Sequence, residues 1–332
     1  MRRRDFIAVI SAAALARPFG ATGQQPGKIW RIGHLLPSTP TPEQAEIFAR
    51  ELEQRLAEFG YVQGRNVVLL NRFAGPRTDQ IEEAVISLVP QVDLLVVWGN
   101  GGPAARKFAG AVPTVFISIG FPVELGLVQS LAHPGGNITG IAAEAALEIN
   151  GKRLQILKEI VPSLKRVAFL RDTTVDDKFE LAALDQAGRE LGITVTPVDI
   201  KSADDLKGAF VDIQESRADA LFVARTALTF NLGKQIADLA LAAHLPSCHS
   251  FRPAVLVGGL MSLDADRVAM IRSAAAQIDK IIKGTNPKGT NPADIPAEQP
   301  TRYELYINLK TARLLNLTIP PNVLALADQV IE

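Results

Sequence analysis

From residue 30 onward the chain alternates between two hydrophobic rhythms. Trp30 to Leu36 is a short run of β type. Glu43 to Phe59 then spaces Ala45, Phe48, Ala49, Leu52, Leu56 and Phe59 three or four residues apart, the period of an amphipathic helix. Gly60 ends it. Asn66 to Phe73 returns to strand, and Thr78 to Val89 to helix, with Ile81, Ala84, Val85 and Leu88 along one stripe. Val92 to Trp98 (VDLLVVW) is apolar and short, as expected of a strand buried on both faces of a parallel sheet. The pattern next predicts a helix over Pro103 to Ala109, a strand over Thr114 to Ile119 and a short helix over Pro122 to Leu131.

After His133-Pro134-Gly135-Gly136-Asn137 the same rhythm restarts. Helices are predicted over Leu147–Ile160, Lys178–Leu191, Ser202–Glu215, Leu232–Ala243 and Ala265–Lys283. Strands are predicted over Arg166–Leu170, Thr194–Asp199, Ala220–Ala224 and Leu256–Met261, and Glu304–Asn308 with Leu309–Leu315 gives a last strand and helix. Strands alternating with helices imply right-handed βαβ units and parallel sheets. Two such sets imply an α/β protein of two Rossmann-like, doubly wound lobes.

The first 23 residues interrupt this picture. Arg3-Arg4-Asp5-Phe6-Ile7, an apolar run from Ile7 to Ala16 and the closing Ala21-Thr22-Gly23 have the three-part form of a secretory signal peptide. The arginine pair followed by Phe and Ile resembles the twin-arginine export signal; an ordinary Sec signal is the alternative. The apolar run is too short to cross a bilayer, and no cysteine follows it to carry a lipid. A soluble mature chain from Gln24, working in the periplasm, is expected. Cleavage removes four arginines and one aspartate from totals of 35 basic and 35 acidic residues, leaving 31 and 34, a net charge of −3. Nothing in that balance suits nucleic acid. Cys248 is the only cysteine, so no intrachain disulfide forms, and its apolar setting marks it as a small buried hydrophobe.

Signatures of chemistry are sparse. Trp98-Gly99-Asn100-Gly101-Gly102-Pro103 is glycine-rich between a strand and a helix but has neither dinucleotide-binding spacing nor a phosphate-loop lysine. His34, His133, His244 and His249 are not spaced for a metal, and no Gly-x-Ser-x-Gly turn offers a hydrolase nucleophile. No cofactor is expected. A loop over Gly284–Pro292 contains GTNP twice and reads as a small tandem duplication. In open parallel sheets ligands lie at the carboxyl ends of the strands. That rule marks the strand ends, Arg225-Thr226 among them, and the candidates are Ser38, Thr39, Asn100, Gly101, Gly102, Ser118 and Phe121 in the first lobe, and Asp172, Thr173, Thr226, Ser250 and Phe251 in the second.

Five longer blocks resemble a known family: SLAHPGGNITG (130–140), GKRLQILKEIVPSLKRVAFL (151–170), ADLALAAHLPS (237–247), VGGLMSL (257–263) and EQPTRYELYINLKTARLLNLTIPP (298–321). They are similar to the ABC-transporter substrate-binding proteins of the tryptophan/tyrosine-uptake type. The resemblance implies a type I periplasmic-binding fold, with three crossovers near 135–140, 251–258 and 295–302. The implied lobes are 24–137 with 258–294, and 138–257 with 295–332. It further implies a monomeric, non-enzymatic protein that encloses a small solute by hinge closure and presents it to an ABC permease and its ATPase. A ligand-sensing subunit for a membrane receptor kinase is the alternative on the same fold. An enzyme would need an acid–base pair in the cleft, and Asp172 has no clear partner in the sequence.

Departures from the family pattern bear on the solute. Gly101-Gly102 lacks a threonine hydroxyl, Phe121-Pro122-Val123 and Thr226-Ala227 replace acid-containing turns, Asp172-Thr173 replaces an Asn-Pro, and Phe251-Arg252-Pro253 replaces Phe-Arg-Glu. With two acids lost, an aromatic or other apolar carboxylate is expected rather than a zwitterionic amino acid. Trp98, Phe121 and Phe251 are expected to stack on it, and the N–H groups around Gly101 to Ala104 to receive its carboxylate.

Overall fold

Along Leu94–Trp98 the side chains alternate between two cores: Leu94, Val96 and Trp98 face one, Leu95 and Val97 the other. A strand buried on both faces must lie inside a sheet covered by helices on both sides, and this strand is central. The computed structural model describes residues 28–36, 42–75, 77–144, 148–176, 178–284 and 290–332, with side chains of the first helix from Glu46 onward. The export tag, Ser38 and Thr39, and the middle of the GTNP repeat lie outside the described residues.

The first sheet contains β1 (Trp30–Leu36), β2 (Val67–Phe73), β3 (Leu94–Trp98), β4 (Thr114–Gly120) and β5 (Ile138–Glu144), all parallel, in the order β2-β1-β3-β4-β5. The helices Pro42–Glu58 and Arg267–Lys283 cover one face, and Thr78–Leu88 and Gly101–Phe108 the other. The second sheet contains β6 (Arg166–Asp172), β7 (Thr194–Ile200), β8 (Ala220–Val223), β9 (Ser247–His249), β10 (Met261–Ala265), β11 (Tyr303–Asn308) and β12 (Gln329–Ile331). Its order is β12-β11-β10-β9-β8-β6-β7, and only the β10–β11 pair is antiparallel. Two parallel-sheet lobes with helices on both faces are the expected α/β class.

Sheet membership moves two expected lobe boundaries. β5 pairs with β4, so residues 138–144 belong to the first sheet, and β10 joins β9, so 261–265 belong to the second. The chain therefore crosses between lobes after Glu144, again between Ala265 and the helix starting at Arg267, and a third time between Asp294 and Tyr303. Asp266 accepts from Ala269 N and caps that returning helix, which fixes where the second crossing stops. Gly135 and Gly136, in the segment expected to hinge, sit in a turn on the first lobe before β5; the turn is closed by Gln129 N donating to Pro134 O.

Two predicted elements differ. Residues 122–131 form turns rather than a helix, because Pro122 O takes both Leu127 N and Val128 N while Gly126 adopts φ +65°. The strand predicted over 256–261 begins only at Met261 and runs on to Ala265. Arg252–Leu256 is a short helix, and Gly258, at φ +126°, turns the chain back toward the sheet. Cys248 is fully buried, which pushes its thiol up to about 12. Among the described residues no helix is long and apolar enough to cross a membrane.

Candidate functional site

The carboxyl ends of β1, β3 and β4 face those of β8, β9 and β10 across a cleft of about 1070 Å³, space at its mouth included. The first lobe contributes Leu35, Phe48, Trp98 to Gly101 and Ser118; the second contributes Arg225 to Ala227, Phe230, Phe251 to Pro253 and Asp264. The walls are mainly apolar with a few charged groups, the mix that orients a small organic solute.

Aromatic rings form one wall. Trp98 meets Phe48 edge-on with centroids 5.5 Å apart, Phe48 meets Phe230 at 6.2 Å, and Phe230 meets Phe251 at 5.0 Å. The Phe48–Phe230 contact spans the two lobes. Trp98 is held from behind: its Nε1–H donates to His34 Nε2 at 2.9 Å, and His34 Nδ1 meets Asn71 Oδ1 at 3.1 Å. Burial lowers the His34 pKa to about 4, against the smaller raising effect of Asn71, so the ring is neutral and Nε2 stays an acceptor.

The charged wall is built around Arg225. Its Nη1 donates to Asp264 Oδ1 at 2.9 Å and to Ser250 O at 2.6 Å; its Nη2 crosses to Ser118 Oγ of the first lobe at 2.9 Å. The guanidinium lies 4.4 Å from the Phe251 ring centroid, a cation–π contact. Ser118 takes φ +60°, unusual for a residue with a Cβ, at a register shift in the β4–β5 pairing. Arg252 Nη1 donates to Tyr306 Oη at 3.1 Å, and that hydroxyl donates to Glu304 Oε2 at 3.1 Å. Arg267 donates to Glu51 Oε1 at 2.8 Å and stacks over Phe48. Asp264 also accepts from the backbone N–H of Arg252 and of Ala265. Both of its oxygens are thereby engaged.

Of the residues selected from the sequence, Asn100, Gly101, Ser118, Thr226 and Phe251 line this cleft. The Thr226 hydroxyl is already occupied, capping the next helix through Thr229 N. Gly102, Phe121, Asp172, Thr173 and Ser250 are not among the lining residues. A Cβ on Gly102 would lie 2.3 Å from Ile119 Cδ1, so that glycine serves close packing of helix on sheet. Its N–H donates to Gly99 O, and Pro103 has none to offer, which thins the expected carboxylate cradle. Phe121 is buried, and its N–H is tied to Glu144 O at the end of β5. Ser250 Oγ donates inward to Val223 O. Asp172 is buried against its own turn, accepting from the N–H and hydroxyl of Thr174; Thr173 N donates to Ile200 O. β6 lies on the β7 side of its sheet, away from the β8 to β11 ends that line the cleft.

Arg225 is marked as a strand-end residue without being a candidate, and Arg252, Arg267, Asp264, Glu304 and Tyr306 are not selected at all. Glu304 and Tyr306 have a topological reason. β11 runs antiparallel, with Glu304 opposite Asp264, so its beginning lies where the other strands end, and a rule about carboxyl ends passes over it. Among the described residues no group of three or more His, Cys, Asp or Glu is arranged to hold a metal ion.

The profile of a family described as ABC transporter substrate binding protein matches residues 51–331. A protein of Clostridioides difficile (strain R20291) named tyrosine-binding protein is 23% identical over 277 residues, covering 81% of this chain and 75% of that one. The crystal structure of an ABC domain in complex with L-Trp from Streptococcus pneumoniae superposes with TM-score 0.82 at 23% identity, covering 91% of this chain and 99% of the other. A solute-binding protein from R. palustris in complex with benzoate gives TM-score 0.58 at 13% identity, covering 81% and 84%. At these identities the structural likenesses show the fold.

Proposed function

The chain belongs to the family of ABC transporter substrate-binding proteins, and from that premise we propose that it is the periplasmic solute-binding component of an importer for an aromatic carboxylate. The family consists of binding proteins rather than enzymes. The observation that carries the solute class is the pairing of the Trp98–Phe48–Phe230–Phe251 wall with an arginine-lined opposite side. A planar apolar body fits the first, and each ring contact contributes about 0.5–1.5 kcal/mol beyond buried area. An anionic group fits the second. Named or bound ligands of the relatives (tyrosine, L-Trp and benzoate) support an aromatic solute.

The acids in the cleft argue against an ammonium. Asp264 already accepts from Arg225, Arg252 and Ala265, and Glu304 accepts from Tyr306. Capture works by the lobes meeting around the solute, through the contacts that Ser118–Arg225 and Phe48–Phe230 make across the cleft. The closed form is then presented to a permease and its ATPase. The signal-like first 23 residues support a periplasmic location.

A thermal-shift screen over aromatic acids, aromatic amino acids and small aliphatic carboxylates tests the reading. A ligand at a hundredfold excess over its Kd stabilises the folded state by about 2.7 kcal/mol. Aromatic acids should give the largest rise in Tm. A rise produced by aliphatic carboxylates alone would contradict the assignment.

A further inference from the structure

Three arginines line the cleft, and two of them are paired. Arg225 donates to Asp264, Ser250 O and Ser118, and Arg267 donates to Glu51. The guanidinium of Arg252 has no carboxylate within ion-pair reach among the described residues. Its one side-chain partner among the described residues is the neutral hydroxyl of Tyr306, whose ring it overlies with 5.2 Å to the centroid. Arg252 begins a short helix of the second lobe, whereas Arg267 begins a helix packed on the first. Two cationic groups thus line one cleft from opposite lobes.

We propose that Arg252 is the residue that selects the solute's anionic group, binding a carboxylate through its unoccupied N–H edge with Arg267 on the opposite wall. The assignment rests on the reading of the solute as an aromatic acid lodged in this cleft, and names the group that recognises its charged end. A guanidinium anchored through Nη1 on Tyr306 retains an edge whose two parallel N–H groups match the oxygens of a carboxylate. Tyr306 fixes the plane of that fork, and Glu304 orients the Tyr306 hydroxyl by accepting its proton. The electrostatics agree. Burial first, and then the nearby Arg252 charge, hold Arg267 below the ordinary arginine range against the raising effects of Glu51 and Asp264, so an anion between the two arginines would favour the charged form of Arg267. Arg225 is less suited to the task, since its two Nη groups already join the lobes.

The test compares 3-phenylpropionate with its neutral amide, 3-phenylpropionamide, by calorimetry on the wild-type protein and on Arg252→Gln. The wild type should prefer the acid by about tenfold or more, the scale of a charge-assisted hydrogen bond lost. Arg252→Gln should bring the two ligands to within about threefold by weakening the acid, with the amide bound as by the wild type. Retention of the wild-type preference in Arg252→Gln would overturn the assignment, as would equal loss of both ligands, which would make Arg252 structural. Failure of the wild type to bind either compound would overturn the aromatic-acid reading and this assignment with it. Selectivity unchanged by the substitution overturns the assignment alone.

Discussion

The Trp98 indole donates to His34 Nε2, which places the imidazole proton on Nδ1, where it meets Asn71 Oδ1. Protonating His34 would remove the acceptor that holds Trp98 against the cleft. His249, also fully buried, has its pKa lowered by burial to about 4, as His34 does. Both values lie below the unfolded histidine value of about 6.5, so the unfolded chain takes up these protons first as pH falls. The stability these groups contribute is complete above pH 6.5 and is lost between about 6.5 and 4. Between pH 6 and 5 the unfolding free energy should fall by about 1.2 kcal/mol for each histidine, or about 2.3 kcal/mol for the pair. His34→Gln should roughly halve that slope in urea titrations followed at several pH values. An unchanged slope would mean that His34 is protonated in the folded state. The sequence shows His34 inside a strand run but gives no sign of Trp98 as its partner, because the two are 64 positions apart and meet only when β1 and β3 pair.

At the scale of elements, strand β5 shows how a backbone contact decides a residue. Gly140 sits opposite Phe116 of β4, and a Cβ there would lie 2.1 Å from the Phe116 carbonyl oxygen. Backbone cannot move aside as a side-chain end can, so Gly140→Ala should cost about 3 kcal/mol or more. The shift in urea midpoint at constant slope would measure it, and a loss under about 1 kcal/mol would show that the β4–β5 pair slides apart easily. The alternation of strands and helices was legible because period-2 and period-3.6 patterns are local. Strand-end residues were legible at the ends of β3, β4, β8 and β9, where Asn100, Gly101, Ser118, Thr226 and Phe251 line the cleft, but not at β6, whose Asp172 and Thr173 lie away from it. What escaped depends on pairing. The antiparallel β11 brings Glu304 and Tyr306 in from an unexpected end, and β5 joins the first sheet although it follows the turn that reads as a hinge. Arg225 and Arg252 stand beside selected residues and are distinguishable only by where their guanidinium groups reach.

For the whole molecule, the crossings converge on one buried charge. Arg153 is fully buried: it forms an ion pair with Glu144 at 2.5 Å, donates to Leu263 O through Nε and Nη2, and donates to Asn150 through Nη1. Burial lowers its pKa, but Glu144 and weaker charges around it more than offset that and hold it above the ordinary arginine value. Glu144 ends the first crossing strand, and Leu263 lies just before the second crossing. Tyr303, where the third crossing ends, donates to Ala143 O beside them at 3.0 Å. Separating such a pair leaves an uncompensated buried charge, at a cost of about 3–5 kcal/mol, so under the proposed capture by lobe closure this cluster is the part expected to stay fixed. The proposed closure brings the aromatic wall and the arginines around an aromatic acid that carries no ammonium. Titration calorimetry of the wild-type protein with 3-phenylpropionate and with phenylalanine measures this directly, since the two share a ring and a carboxylate and differ by the amino group. Tighter binding of 3-phenylpropionate is the predicted result. Tighter binding of phenylalanine would contradict the account and would assign the ammonium to Asp264 or Glu304.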